Sequence, residues 1–140
     1  MDKVKAYNIA IAEDDPNDLF FMQKVIFELN PDHKVISLYT GQQLLNYLQH
    51  KGNFFLEPLP DVIFLDLNMP VLNGFSALKE IKEDDFLKKI PVYIFSGAAP
   101  KNEVKETLSS WVAGYFVKPD SPEELKAIVN KILKSLKNKA

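Results

Sequence analysis

Carboxylates dominate the residues of this sequence that could do chemistry. Glu13, Asp14 and Asp15 stand together near the N-terminus, and Asp66 follows the apolar run Val62-Ile63-Phe64-Leu65. Ser96 follows Val92 to Phe95, and Lys118 follows Tyr115 to Val117. Three or four carboxylates drawn together raise one another's pKa values unless a cation neutralises them. With oxygen ligands alone the natural cation is Mg²⁺, which takes one or two carboxylates and keeps room for a phosphoryl oxygen. In such a site an aspartate is a competent nucleophile toward phosphorus and yields an acyl phosphate. Asp66 is the best candidate, because the strand it ends has the pattern of the most buried one. Lys118 would be a point charge beside the transferred group and Ser96 a hydrogen-bond donor to it. The backbone after Asp66, Leu67-Asn68, could supply a carbonyl to the metal.

Composition narrows the alternatives. All 17 basic residues are Lys, against 19 Asp and Glu, for a net charge of −2. Without Arg there is no bidentate grip on guanine or phosphate, and the charge gives no field to hold a polyanion, so direct nucleic-acid binding is not expected. The absence of Cys excludes disulfides, thiolate metal sites and cysteine nucleophiles. Two separated histidines, His33 and His50, cannot alone build a zinc centre and are expected to be solvated. No apolar run approaches the length of a membrane span, and Met1-Asp2-Lys3 leads straight into a strand-like segment, so a cytoplasmic protein without a membrane partner is expected.

The elements that must position these residues alternate along the chain. Tyr7 to Ala12 reads as a strand, and Asp15-Pro16 opens a helix striped by Leu19, Met22, Ile26 and Leu29, with Asp15 read as its N-cap and not as a metal ligand. Val35 to Tyr39 is a second strand, and Leu44, Leu45 and Leu48 mark a helix after Gly41. Val62 to Leu65 is a third strand, of the continuous apolar kind buried on both faces of a parallel sheet. Phe75, Leu78 and Ile81 stripe a helix that starts near Gly74 and ends in Glu83-Asp84-Asp85. Val92 to Phe95 is followed by a helix striped by Val104, Leu108 and Trp111, with Trp111 assigned to the core. Tyr115 to Val117 is the fifth strand. The last helix opens at Ser121-Pro122 and carries Leu125, Ile128, Val129, Ile132, Leu133 and Leu136 on one face. Five βα units in series predict a doubly wound parallel sheet in a single domain spanning 1–140. The chemical residues then all lie at carboxyl ends of strands, where such sheets bind ligands.

Those residues, taken with their neighbours, resemble a response-regulator receiver domain. Ala12-Glu13-Asp14-Asp15, Asp66-Leu67-Asn68-Met69-Pro70 with Gly74, Ser96-Gly97, and Tyr115-Phe116-Val117-Lys118-Pro119 match that family's motifs in order and spacing. The resemblance implies a flavodoxin-like (βα)5 fold with strand order 2-1-3-4-5. It implies that Glu13 and Asp14 are the acidic pair of a Mg²⁺ site, Asp14 the more direct ligand, that Asp66 also contacts the metal, and that the Asn68 carbonyl completes its shell. Asp66 would accept a phosphoryl group from a sensor histidine kinase or a histidine phosphotransfer protein. Ser96 would be the switch hydroxyl, Tyr115 the switch aromatic and Lys118 the phosphate-contacting lysine. The helix 4, strand 5 and helix 5 surface would then change its affinity for a separate target protein or a second copy of the chain, since no output domain is expected. The Lys118-Pro119 bond is typically cis in that family. The long connection around Gly52-Asn53-Phe54-Phe55-Leu56-Glu57-Pro58 resembles stand-alone regulators of phytochrome kinases, and its Phe54-Phe55-Leu56 patch is expected to be buried. Ser96 and Gly97 replace a commoner threonine and alanine.

Other functions fit less well. An aspartate-nucleophile phosphatase wants a general acid two residues after the nucleophile, where this sequence has Asn68. A flavin carrier on a related sheet wants a Ser/Thr/Gly-rich phosphate cradle in the first loop, where Glu13-Asp14-Asp15-Pro16 repels phosphate unless metal is present. A binding module that never takes phosphate has no residue in its favour.

Overall fold

The computed structural model describes residues 5–52, 57–67, 73–97 and 102–136. Strands β1 (Asn8–Ala12), β2 (Lys34–Leu38), β3 (Val62–Leu65), β4 (Val92–Ser96) and β5 (Gly114–Val117) alternate with helices α1 (Pro16–Leu29), α2 (Gly41–Leu48), α3 (Gly74–Glu83), α4 (Asn102–Ser109) and α5 (Pro122–Leu136). All four strand pairings are parallel and give one sheet in the order 2-1-3-4-5, as expected. Parallel neighbours require a crossover, so helices cover both faces. The order reverses between β1 and β3, which opens a crevice beyond their carboxyl ends.

The apolar run of β3 is continuous because both of its faces are loaded. Ile63 and Leu65 pack into a core with Leu44, Leu78 and Ile81 of α2 and α3. Val62 and Phe64 pack into a second core with Ile26, Val129 and Leu133 of α1 and α5. Each such side chain contributes about 1.5–3 kcal/mol on burial, so the strand that ends at Asp66 is held from both sides.

Polar residues set the helix starts. Asp15 accepts the Asn17 and Asp18 N–H groups at 2.8 and 3.2 Å, with Pro16 in the first turn, so its capping role is observed. Thr40 caps α2, Asn73 caps α3 and the Ser121 hydroxyl accepts the Glu124 N–H at 3.1 Å. After α3 the chain makes a 3₁₀ turn, Leu87–Lys89, which periodicity does not reveal because it is too short to show any. Asp84 accepts the Leu87 and Phe86 N–H groups there, and these bonds hold its carboxyl below the usual range.

The structure corrects the sequence reading at two places. His33 is buried, not solvated. Its Nδ1 accepts the Tyr7 N–H at 2.9 Å and its ring stacks on Tyr7, so it completes the hydrogen bonding of the chain just before β1. Burial holds its pKa below the ordinary histidine value against the pull of Asp32. Trp111 lies beyond α4, because the helix ends at Ser109, yet it still packs on Phe75 with ring centres 5.6 Å apart. No cis peptide occurs among the described residues, so Lys118–Pro119 is trans, the isomer favoured for such bonds by about 0.5–1 kcal/mol. His50 is exposed, as expected.

The side chain of Val104 and the patch Phe54-Phe55-Leu56 lie outside the described residues. The far end of that connection is tied to α2 by the Tyr47 hydroxyl, which donates to the Pro58 carbonyl at 2.7 Å. No helix among the described residues is long and apolar enough to cross a membrane.

Candidate functional site

Two chain segments bring three carboxylates to one end of the sheet. The Ala12 carbonyl accepts the Asp66 N–H at 2.9 Å, which sets the end of β3 beside the loop that carries Glu13 and Asp14. One carboxylate oxygen from each of Glu13, Asp14 and Asp66 lies within 4.8 Å of the others. Glu13 and Asp66 are buried and Asp14 is exposed, so the trio is open on one side. Burial pushes the Glu13 carboxyl up to about 7, with Asp66 adding to the shift and Lys118 and the Asp15 N–H opposing it. Oxygen donors alone, crowded and partly buried, fit a hard divalent cation. The Asn68 carbonyl, the fourth expected ligand, lies outside the described residues.

Lys118 enters the same space from the end of β5. Its backbone N–H donates to the Ser96 carbonyl at 2.7 Å and fixes the ends of β4 and β5 together. Its Nζ lies 3.1 Å from Asp66 Oδ2, 2.8 Å from Glu13 Oε1 and 2.6 Å from Asp18 Oδ2. Burial opposes the lysine's charge, but the hydrogen bonds to Asp18, Glu13 and Asp66 outweigh it and lift its pKa above the ordinary value. It is therefore a permanent ammonium whose three N–H groups meet three carboxylates.

Ser96 is buried at the end of β4. Tyr115, in register with Ile94 on the neighbouring strand, is half-buried against the core formed with α2 and α3. Asp66, Glu13, Asp14 and Lys118 are thus brought together, while Tyr115 flanks the site on the strand that leads to Lys118.

Sequence reasoning missed one residue, Asp18, and the structural role of another, Gly74. Asp18, in the first turn of α1, reads from sequence as an acid favoured by the helix dipole, and nothing local reveals its bond to a lysine 100 residues away. Gly74 reads as a helix start, but its role is closeness. A Cβ there would overlap the Asp66 carbonyl oxygen and lie 2.6 Å from Leu67 Cα, and the Gly74 N–H donates to the Leu67 carbonyl at 2.9 Å. The first turn of α3 therefore rests directly on the backbone that carries Asp66.

A cavity of about 320 Å³ adjoins these groups between α1, α5 and the sheet. Its walls include Glu13, Asp18, Asp66 and Lys118 together with Met22, Phe64 and Phe95.

Comparison with known proteins matches residues 9–130 to the response regulator receiver domain. The chain is 32% identical over 124 residues to response regulator Rcp1 of Synechocystis sp., covering 89% of this chain and 84% of that protein. It is similar in structure to the phosphorylated cyanobacterial phytochrome response regulator RcpA, with TM-score 0.86 and 29% identity over 97% of each chain. A Mn²⁺-bound form of Rcp1 superposes with TM-score 0.83 at 30% identity, covering 96% of this chain and 97% of that one.

Proposed function

Because the chain belongs to the response regulator receiver family of two-component signalling proteins, we propose that Asp66 is its phosphoacceptor and that Glu13, Asp14, Asp66 and the Asn68 carbonyl hold Mg²⁺ beside it. The observation that carries this reading is the ammonium of Lys118, 3.1 Å from Asp66 Oδ2 at the edge of an acidic trio suited to a divalent cation. In the transfer, an Asp66 carboxylate oxygen attacks phosphorus, the P–N bond of a phosphohistidine breaks, and the imidazole leaves with the electron pair and takes up a proton. When bound, the metal supplies charge neutralisation between the two anions. Lys118 exchanges its contact with Asp66 for one with the phosphoryl group, and the Ser96 hydroxyl turns toward that group.

Movement of Ser96 vacates space on the β4–β5 side, and Tyr115 turns inward, so the surface of α4, β5 and α5 changes its affinity for a target protein or for a second copy of the chain. A phosphoryl group needs only a few kcal/mol of differential interaction to shift such a two-state equilibrium. Similarity to Rcp1 and RcpA supports a phytochrome-type histidine kinase, or a phosphotransfer protein behind one, as donor in the cytoplasm. The test is incubation with Mg²⁺ and acetyl phosphate followed by intact mass. One phosphoryl group should add to the wild type and none to Asp66→Asn, whereas an adduct that persists in the variant would move the acceptor elsewhere.

A further inference from the structure

Lys118 has three N–H groups and three carboxylate partners, and the contacts are not alike. The one to Asp18 is the shortest, at 2.6 Å, and the one to Asp66 the longest, at 3.1 Å. Asp66 is nearly inaccessible, while the Asp18 side chain is 41% exposed and belongs to the first turn of α1, outside the acidic trio. Asp18 and Asp66 accept from the same nitrogen, so their oxygens are no more than about 5.7 Å apart, the two bond lengths laid end to end. A phosphoryl group arriving at Asp66 therefore meets a lysine already drawn toward α1, and a carboxylate close behind it.

We propose that Asp18 is a positioning residue that restrains Lys118: it holds the ammonium toward α1 and thereby limits the positive charge available to an incoming phosphoryl group. The cap at Asp15 fixes where it stands. The Asp18 N–H donates to Asp15 Oδ1, so its backbone is set by the helix start and its side chain projects from a rigid turn toward β5. A restraint of this kind slows phosphorylation by donors that carry much negative charge and leaves neutral steps alone. The inference rests on Asp66 being the phosphoacceptor.

The experiment compares wild type, Asp18→Asn and Asp18→Glu in saturating Mg²⁺, following the Asp66 adduct by intact mass at low donor concentration. Coulomb interaction over this distance in a half-exposed setting predicts that Asp18→Asn accelerates phosphorylation by acetyl phosphate roughly three- to tenfold. Phosphoramidate carries one negative charge fewer, so its rate should rise by a smaller factor, which a general loosening of the fold would not produce. Asp18→Glu should stay within about twofold of wild type, because it keeps the charge. Equal or slower rates in Asp18→Asn, equal factors for both donors, or acceleration by Asp18→Glu as large as by Asp18→Asn would each overturn the restraint. Failure of the wild type to form any adduct would instead remove the phosphoacceptor reading on which the restraint stands.

Discussion

Replacing Gly74 by alanine tests how firmly α3 fixes the acceptor. The added Cβ would lie 2.6 Å from Leu67 Cα, about 0.8 Å inside the 3.4 Å at which ordinary contact begins, and closer still to the Asp66 carbonyl oxygen. Neither neighbour is the free end of a side chain, so backbone must move. Overpacking of this degree costs about 1–3 kcal/mol, offset in part by the roughly 0.5–1 kcal/mol that alanine gains over glycine in a helix. A net loss of about 1–2 kcal/mol lowers the melting temperature of a domain this size by roughly 3–8 °C. The larger effect should be kinetic, since a displacement near 1 Å of a reacting group can cost about 10²-fold in rate. Thermal melts and the acetyl phosphate reaction followed by intact mass measure the two quantities separately. Gly74→Ala should melt cooperatively and phosphorylate about 10- to 100-fold more slowly than wild type. If it melts and reacts like wild type, α3 does not set the position of Asp66 and the reasoning fails.

Two further outcomes concern stability. His33 is held below its ordinary pKa by burial, and its Nδ1 accepts the Tyr7 N–H, so the folded chain keeps it neutral. Its contribution is complete above the unfolded value near 6.5 and is lost as pH falls from there through the folded value, at up to about 1.4 kcal/mol per unit of separation. Glu13, raised to about 7 by burial, contributes the opposite slope without metal, because its folded form binds the proton first. Urea melts at pH 7.5 and 5.5 on wild type and His33→Gln cancel that slope. The wild type should lose more stability on acidification than the variant, and parallel losses would contradict the assignment. Asp15→Ala removes the N-cap of α1 with its two hydrogen bonds and should cost about 1 kcal/mol in a thermal melt. Because Asp15 lies outside the acidic trio, the Mg²⁺ dependence of phosphorylation should keep its wild-type midpoint, and a shifted midpoint would make Asp15 a ligand.

The parts of the fold legible in the sequence are those with a local cause. The run Val62 to Leu65 announces a strand loaded on both faces, Asp15-Pro16 and Ser121-Pro122 announce helix starts, and the acids and Lys118 fall at strand ends because the chain turns there. Contacts between distant segments were not legible. Asp18 looks like any acid in a first turn, and its partner is fixed only when β5 lies against α1. His33 follows Pro31-Asp32, a sequence that reads as an exposed turn, and its burial depends on the Tyr7 backbone needing an acceptor. Gly74 gives no sign that the Asp66 carbonyl stands where its side chain would be. The 3₁₀ turn after Asp84 spans too few residues to print a period.

The bond between Asp18 and Lys118 joins residues 100 apart, and Asp66 stands between them in sequence. A cation held by Glu13, Asp14 and Asp66 would therefore bind only the assembled chain, since an unfolded one cannot bring those segments together. Its binding free energy then adds to that of folding, by RT ln(1 + [L]/Kd), about 2.7 kcal/mol at a hundredfold excess over Kd. Such a site would double as a clasp on the two central strands: depleting the divalent ion would loosen the ends of β1 and β3 together, and partial unfolding at either strand would release the ion.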